Sequence, residues 1–502
     1  MFDNVRRVSR HLFAYGTADV MVLVVNFLLL PLYTRVLAPR EYGALALLLL
    51  CEAFLKVMNR WGLDHGLLRL YYDQPDAESR KTLASTVALF MAAANGAIAL
   101  LLVALTVPIN QQLFNSQEFA TAYRWLVLNN FAGGFLFLPL TRLRVEERSG
   151  LYAALTFLRS FGTVVVRLLL VIGLHMSVVG LVLADVIVTV ALLIALSGTT
   201  RRMLGWRFSM PVLRDLLSYG LPHVPHGLLS QTMSMVDRFI LGLYMPLQAV
   251  GVYLIGTTVA GVVKFFPVAF EAAWMPFAFD SLGRRDAPRM FARMGTYAFA
   301  VLAFSTLALA SLAPPLVQLM LPPAYQAAIP LVPLLAAGLA VQSLAWFPMT
   351  SVNIAKRTRI YPIVTAIGAA VSVGANLLLI PRYGMHGAAI ALIVSQVITT
   401  AATTYFAQRV YHIPYERSRL LKVLAVGVAT YLAAAVVSPS STGWTLLIRA
   451  AIMPVFPIGL LVLGFFEPQE LAQLRTAVGR LRGSLHRAAP APPAAGSATT
   501  HE

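Results

Sequence analysis

Residues 36–47 read VLAPREYGALAL, and residues 243–254 read LYMPLQAVGVYL. Each stretch leaves one apolar run, meets a proline and enters another run with a glycine four or five residues later. Pro39 and Pro246 are 207 residues apart; Gly43 and Gly251 are 208 apart. The spacing returns farther along, where MSVVGL (176–181) and YGMHGA (383–388) place Gly180 and Gly387 207 residues apart. ERSGLY (147–152) and KRTRIY (356–361) open later runs at a similar offset. A common offset at separated places is the mark of an internal repeat.

Composition says what surrounds the repeat. Of 502 residues, 58% are hydrophobic and 12% charged, with mean hydropathy +0.74. Soluble domains carry about 25% charged residues, so this chain is built for lipid. Apolar runs of roughly 20 residues, the length of a bilayer-crossing helix, fall at about 12–37, 42–68, 83–108, 119–141, 151–174, 178–198, 215–243, 248–278, 294–320, 329–353, 361–380, 386–408, 420–437 and 443–466. The expected fold is therefore all-α and integral to the membrane, with about 14 transmembrane helices. The first run is too long for a cleaved signal peptide and leads straight into a second. The single cysteine, Cys51, makes no internal disulfide and no thiolate cluster, and reads as a packing residue.

The charges between the runs test this map. With the N-terminus placed in the cytoplasm, alternate connections together with the N-terminal segment and the C-terminal tail hold about 28 of the 39 Lys and Arg residues, and the opposite connections about five. Both termini are thus expected to be cytoplasmic. This asymmetry accounts for most of the +18 formal charge. It reads as topology and contact with anionic membrane lipids, not as a nucleic-acid surface.

Six runs per repeat is an even number, so both halves start on the same side and the repeat is parallel. The expected organisation is an N-terminal lobe (1–204, spans 1–6), a C-terminal lobe (205–415, spans 7–12), a final helix pair (416–467) and a cytoplasmic tail (468–502). The tail opens as a basic helix, ELAQLRTAVGRLRGSLHR, expected on the membrane surface. It ends in a segment too poor in apolar bulk to fold.

Within the spans, CEAFLKVMNRWGLDHG (51–66) sets Glu52, Lys56, Arg60 and Asp64 four residues apart. That spacing keeps them on one broad helix face. Charges at membrane depth need protein or water beside them. Either they pair with each other at i,i+4 or they face a wet cavity. Lys264 lies 208 residues after Lys56, and Glu271 follows Lys264 by seven. Other buried-polar candidates are Arg159 and Arg167 in span five, with Asp185 as a partner in span six, and Asp19 and Asn26 in span one. Asp237 and Arg238 sit side by side, placed either to pair locally or to contact substrate. His223 and His226 have a spacing compatible with metal, but no carboxylate–histidine cluster accompanies them, and hydrogen bonding is the expected role. No phosphate-binding glycine loop and no nucleophile signature is present, so neither ATP hydrolysis nor a cofactor is expected.

SYGLPHVPHGLLSQTMSMVDRFILGLYMPLQAVGVY (218–253) resembles the seventh and eighth spans of bacterial polysaccharide flippases in the multidrug/oligosaccharidyl-lipid/polysaccharide exporter superfamily. The resemblance is carried by Gly220, Pro222, Asp237, Arg238, Gly251 and Tyr253. ANLLLIPRYGMHGAAIAL (375–392) resembles that family's eleventh and twelfth spans through Asn376, Pro381, Gly384 and Gly387, and TRVLAPREYGAL (34–45) fits its first loop. The resemblance implies two lobes forming a V around a central cavity in a bacterial inner membrane. It also implies a polyprenyl-diphosphate-linked glycan as cargo and polysaccharide polymerase machinery as a neighbour. In that setting Lys56, Arg60, Lys264, Arg238 and Arg167 are the expected cavity cations. Glu52, Asp64, Glu271, Asp19 and Asp237 are the counter-ions or coupling groups, and Asn26, His223 and His226 polar lining. A peptidoglycan-precursor flippase is the nearest alternative. A multidrug cation antiporter would show twelve spans and a carboxylate-rich cavity, and a membrane enzyme would carry a larger extramembrane domain.

Overall fold

The computed structural model describes residues 25, 27–146, 148–437, 441–468 and 470; Asp19, Asn26 and the segment from 471 onward lie outside this set. The described residues form helices α1 (Phe27–Val36), α2 (Pro39–Arg60), α3 (Leu63–Asp73), α4 (Ala77–Ala104), α5 (Thr106–Phe114), α6 (Ala120–Gly134), α7 (Phe137–Val145), α8 (Ser149–Leu168), α9 (Val178–Met203) and α10 (Met210–Gly220). There follow α11 (His223–Tyr244), α12 (Leu247–Ala260), α13 (Phe265–Asp280), α14 (Ala287–Met320), α15 (Leu331–Leu344), α16 (Trp346–Ile354), α17 (Ile360–Val410), α18 (Arg417–Val436), α19 (Thr442–Ile452) and α20 (Val455–Val462).

Ten of the described helical segments are long and apolar enough to cross a bilayer. One of them, α17, runs for 51 residues but turns at Gly384, whose φ of 55° and ψ of −130° suit glycine and few other residues. It therefore supplies two spans; α2 and α11, 22 residues each, are also long enough to cross, and α1 is the described part of the first run. The protein is a multi-pass membrane protein. Leu100, Val436 and Val462 are among the large apolar side chains left on its outer surface. Fully satisfied helical backbones carrying such side chains are what a hydrocarbon medium permits.

The spans are less uniform than a run of apolar residues implies. Span two reaches from Pro39, earlier than the expected 42, and breaks at Trp61 and Gly62, both left-handed. Trp61 Nε1 donates to Asn95 Oδ1 at 2.8 Å, and Asn95 Nδ2 donates to the Asn59 carbonyl at 2.8 Å, fixing the break against α4. Span five ends in a π turn, Leu169–Gly173, that starts two residues after Arg167. Span eight carries a 3₁₀ turn, Gly261–Lys264, between α12 and α13. Such irregular turns inside membrane helices often mark functional positions.

The repeat becomes a physical contact where α2 meets α12. A Cβ on Gly43 would lie 1.9 Å from the Leu247 carbonyl oxygen, and one on Gly251 would lie 1.9 Å from the Pro39 carbonyl oxygen. Nearby, Tyr325 is buried edge-on to Tyr42 (centroids 5.6 Å apart) and donates from its hydroxyl to the Leu37 carbonyl at 2.6 Å. The end of the molecule holding residues 36–39, 244–247 and 321–330 is thereby tightly closed. At the opposite end α3 packs on α10, and a Cβ on Gly62 would lie 2.0 Å from the Gly220 carbonyl oxygen. Helices α18 and α19 pack on α14, with Val423, Val426, Met453, Phe456 and Leu460 buried against Ala300 and Leu307.

Candidate functional site

Between these closures lies a cavity of about 530 Å³ lined from α1, α2, α8, α9, α11, α12, the 3₁₀ turn, α15 and α17. The local breaks explain why charges reach it. Arg167 precedes the π turn of span five, and Lys264 closes the 3₁₀ turn of span eight. Asp237 and Arg238 come from α11, and Tyr33, Tyr42, Ser234, Thr257, Thr258 and Gln342 complete the polar lining.

Three cations therefore face one cavity carboxylate, and they are held differently. Arg167 is anchored: its Nη2 lies 2.8 and 3.1 Å from the two Asp185 carboxylate oxygens, the partner expected in span six. Its Nε and the Tyr33 hydroxyl are buried without hydrogen-bond partners among the described residues. Asp237 is taken up elsewhere. It accepts from the Tyr253 hydroxyl at 2.7 Å and from the Arg238 backbone N–H at 2.8 Å, and its side chain does not pair with the Arg238 guanidinium. Arg238 Nε is likewise buried and unpartnered, and neither Arg238 nor Lys264 has an ion pair among the described residues. Unpaired cations inside a membrane protein are costly and are kept where an anion or water compensates them.

The row in α2 resolves differently. Glu52 and Lys56 pair at 2.5 Å, and Arg60 and Asp64 pair at 3.2 Å across the Trp61–Gly62 break. The Lys56 and Arg60 side chains are 54% and 56% exposed. Lys56 does not line the central cavity beside Lys264. Arg60 and Asp64 instead line a separate cavity of about 210 Å³ with Arg159, Tyr152 and Thr156. Glu271 is exposed on α13 and lines neither cavity. His223 is exposed and tilted against Tyr219 with centroids 6.0 Å apart, and His226 is half-buried with Nδ1 unpartnered among the described residues. Among the described residues no three His, Cys, Asp or Glu side chains group as a metal site. The sequence did not single out Tyr33 or Gln342. Their only signal was a polar group inside an apolar run.

Residues 32–330 match the family described as polysaccharide biosynthesis protein, a match over more than half the chain. No curated protein matches the chain in sequence. Its architecture is similar to that of the lipid II flippase MurJ in an inward closed conformation, with TM-score 0.72 and 13% identity over 90% of this chain and 98% of that one. It is also similar to an inward-facing multidrug resistance MATE family transporter of the MOP superfamily (TM-score 0.64, 15% identity, 80% and 96% covered). The Vibrio cholerae MATE transporter VcmN aligns with TM-score 0.56 and 16% identity, over 81% and 97%. At these identities the likeness is one of fold. The chain belongs to the polysaccharide biosynthesis protein family and is a multi-pass membrane protein whose fold is similar to those of MurJ and the MATE transporters.

Proposed function

We propose that this protein carries a polyprenyl-diphosphate-linked oligosaccharide from the cytoplasmic to the outer leaflet by alternating access. The observation that carries the proposal is the cavity in which Arg167, Arg238 and Lys264 face a single carboxylate already engaged by Tyr253. A diphosphate diester supplies the missing negative charge. Arginine offers it a planar fork and lysine a point charge. The cationic lining disfavours a cationic drug, and the family match favours a glycan. The basic connections favour an orientation with residues 201–214 and 284–293 in the cytoplasm, in which the end closed by Gly43 and Gly251 is the outer one.

The test is flipping in proteoliposomes of fluorescent oligosaccharides on polyprenyl diphosphate, polyprenyl monophosphate and the peptidoglycan-precursor headgroup. Transport of the diphosphate-linked glycan above the other two supports the proposal. Equal transport of the monophosphate form would remove the diphosphate argument. Preference for the peptidoglycan precursor would reassign the cargo within the same head-group chemistry.

A further inference from the structure

Spans nine, ten and twelve enclose a second feature on the flank of the molecule, away from the central cavity. Two clefts, of about 690 and 600 Å³, share Thr400, Thr404 and Gln408 of α17 and Arg417 of α18, and so lie on either side of one α17 ridge. The first follows Val397, Ala401, Tyr405 and Arg409. The second passes between α14 and α15–α16, against Phe299, Leu344 and Phe347. The second ends at the connection 411–416, and the first at Arg409 and Arg417 on either side of it. That connection is pinned by a reciprocal pair of hydrogen bonds, Gln408 Nε2 to the Ile413 carbonyl at 2.8 Å and the Ile413 N–H to Gln408 Oε1 at 3.1 Å.

Charge and length say what fits. Arg409 and Arg417 are both exposed, and neither has a carboxylate partner among the described residues. Arg409 lies over the Tyr405 ring at 4.3 Å, a contact that leaves its N–H donors free. From Arg409 down to Val397 the helix falls by about 18 Å at ~1.5 Å per residue. One leaflet of a ~30 Å hydrocarbon core is about as deep. A cationic mouth at the interface above two mostly apolar clefts of leaflet depth has the shape of a two-chain anionic lipid.

We propose that this flank binds one anionic phospholipid from the leaflet that borders residues 411–416, its phosphate between Arg409 and Arg417 and one acyl chain in each cleft. The site is separate from the cargo cavity and does not depend on which cargo is carried. Because the second cleft also touches Leu420 of α18, an occupant there contacts spans nine, ten, twelve and thirteen together.

The test is native mass spectrometry of the full-length protein from mixed phosphatidylglycerol and phosphatidylcholine nanodiscs, followed by delipidation and titration with each lipid. The unsubstituted protein should retain phosphatidylglycerol in preference to phosphatidylcholine. R409Q/R417Q should lower phosphatidylglycerol retention at least about tenfold while leaving phosphatidylcholine unchanged. Thr404→Trp, which fills both clefts, should lower retention of both lipids. R201Q/R202Q, which removes two basic residues elsewhere, should change neither. Acyl-free glycerophosphoglycerol should not compete. Undiminished phosphatidylglycerol in R409Q/R417Q, or an equal loss in R201Q/R202Q, would overturn the proposal, as would competition by the acyl-free headgroup.

Discussion

Gly43 and Gly251, 208 residues apart in the sequence, lie on facing helices. Each holds the place where a methyl group would run into the partner helix's backbone, Gly43 at Leu247 and Gly251 at Pro39. The reciprocity means that one element of the repeat has become the seam between the two halves of the chain. Both helices begin just after a proline-bearing turn, Pro39 at the first position of α2 and Pro246 before α12, so the seam sits at the helix starts. Close glycine-mediated packing is a common means of joining helices in a membrane.

The first prediction concerns this seam. Gly43→Val and Gly251→Val should force the closed end apart. Overpacking costs about 1–3 kcal/mol, enough to move a two-state equilibrium about five- to 150-fold. In a background with Cys51 replaced by Ala, a cysteine at Thr257 in the cavity should react faster with an impermeant maleimide added from the side of residues 36–39. Unchanged reactivity in both valine variants would show that the glycines do not control access.

Much of this seam was legible in advance, because proline and glycine carry their conformational demands in their identity. Most of the expected spans were legible too, since hydropathy reports the medium directly. Pairings were harder. The i,i+4 rule anticipated Glu52 with Lys56 and Arg60 with Asp64, even though Trp61 and Gly62 interrupt the helix between the second pair. It could not choose among neighbours in space: Asp237 has Arg238 beside it in sequence, yet its side chain bonds to Tyr253, sixteen residues on. The equivalence of Lys56 and Lys264 by offset failed to place both in one cavity. The 3₁₀ turn ending at Lys264 changes its direction, and no such turn occurs at Lys56. Local departures from the regular helix are set by tertiary contacts that periodicity does not encode.

Cation placement yields the second prediction. Lys264→Ala and Arg238→Ala should each weaken binding of a polyprenyl-diphosphate glycan. A hydrogen bond to a charged group is worth about 1.5–3 kcal/mol, so the expected loss is about ten- to 150-fold. Arg284→Ala and Arg357→Ala, in connections outside the cavity, should leave affinity within about twofold. Measured in detergent by tryptophan quenching or microscale thermophoresis, equal tolerance at all four positions would return the cavity arginine and lysine to a purely structural role.

A third prediction concerns the final helix pair. Arg419 is only 8% exposed and reaches Glu467 at 3.2 Å and Glu470 at 3.1 Å, while Arg293 of α14 reaches Glu467 at 3.0 Å. Burial raises the Glu470 carboxyl, but the Glu467 backbone N–H and the Arg419 guanidinium outweigh it and hold the group below the usual carboxylate range. A carboxyl lowered on folding stabilises the fold above its unfolded value, near 4.3. That contribution is lost as pH falls through the lower folded value. The node should therefore be intact at pH 7 and weaken only in acid below about pH 4. Arg419→Ala, which leaves Arg293 as the remaining arginine beside Glu467 and Glu470, should cost about 1.5–3 kcal/mol. Hydrogen exchange in 417–436 should rise in that variant at pH 7, and protection equal to the unsubstituted protein would show that apolar packing on α14 alone holds the pair.

The last prediction concerns release. A diphosphate moved outward carries negative charge down a potential negative inside, worth about 2.3 kcal/mol per elementary charge per 100 mV. Cations strong enough to capture the head group would also retain it unless something competes. Glu52 can act as a competitor from outside the cavity lining: its carboxylate pairs with Lys56 at 2.5 Å and lies within electrostatic reach of Arg167, whose own partner is Asp185. With Glu52 present, the cationic field on α2 and α8 is partly cancelled, and a bound diphosphate feels less attraction. Glu52→Gln should therefore tighten cargo binding while slowing turnover, the two moving in opposite directions. Lys264→Ala should weaken binding and slow transport together. An imposed inside-negative potential should speed outward movement in the unsubstituted protein and partly rescue Glu52→Gln, because the field assists departure from an over-attractive site. Flipping assays in proteoliposomes with a valinomycin-set potassium potential, run beside binding measurements on the same variants, separate these outcomes. If Glu52→Gln lowered affinity as Lys264→Ala does, the glutamate would be an organiser of Lys56 and not a competitor for the cavity cations.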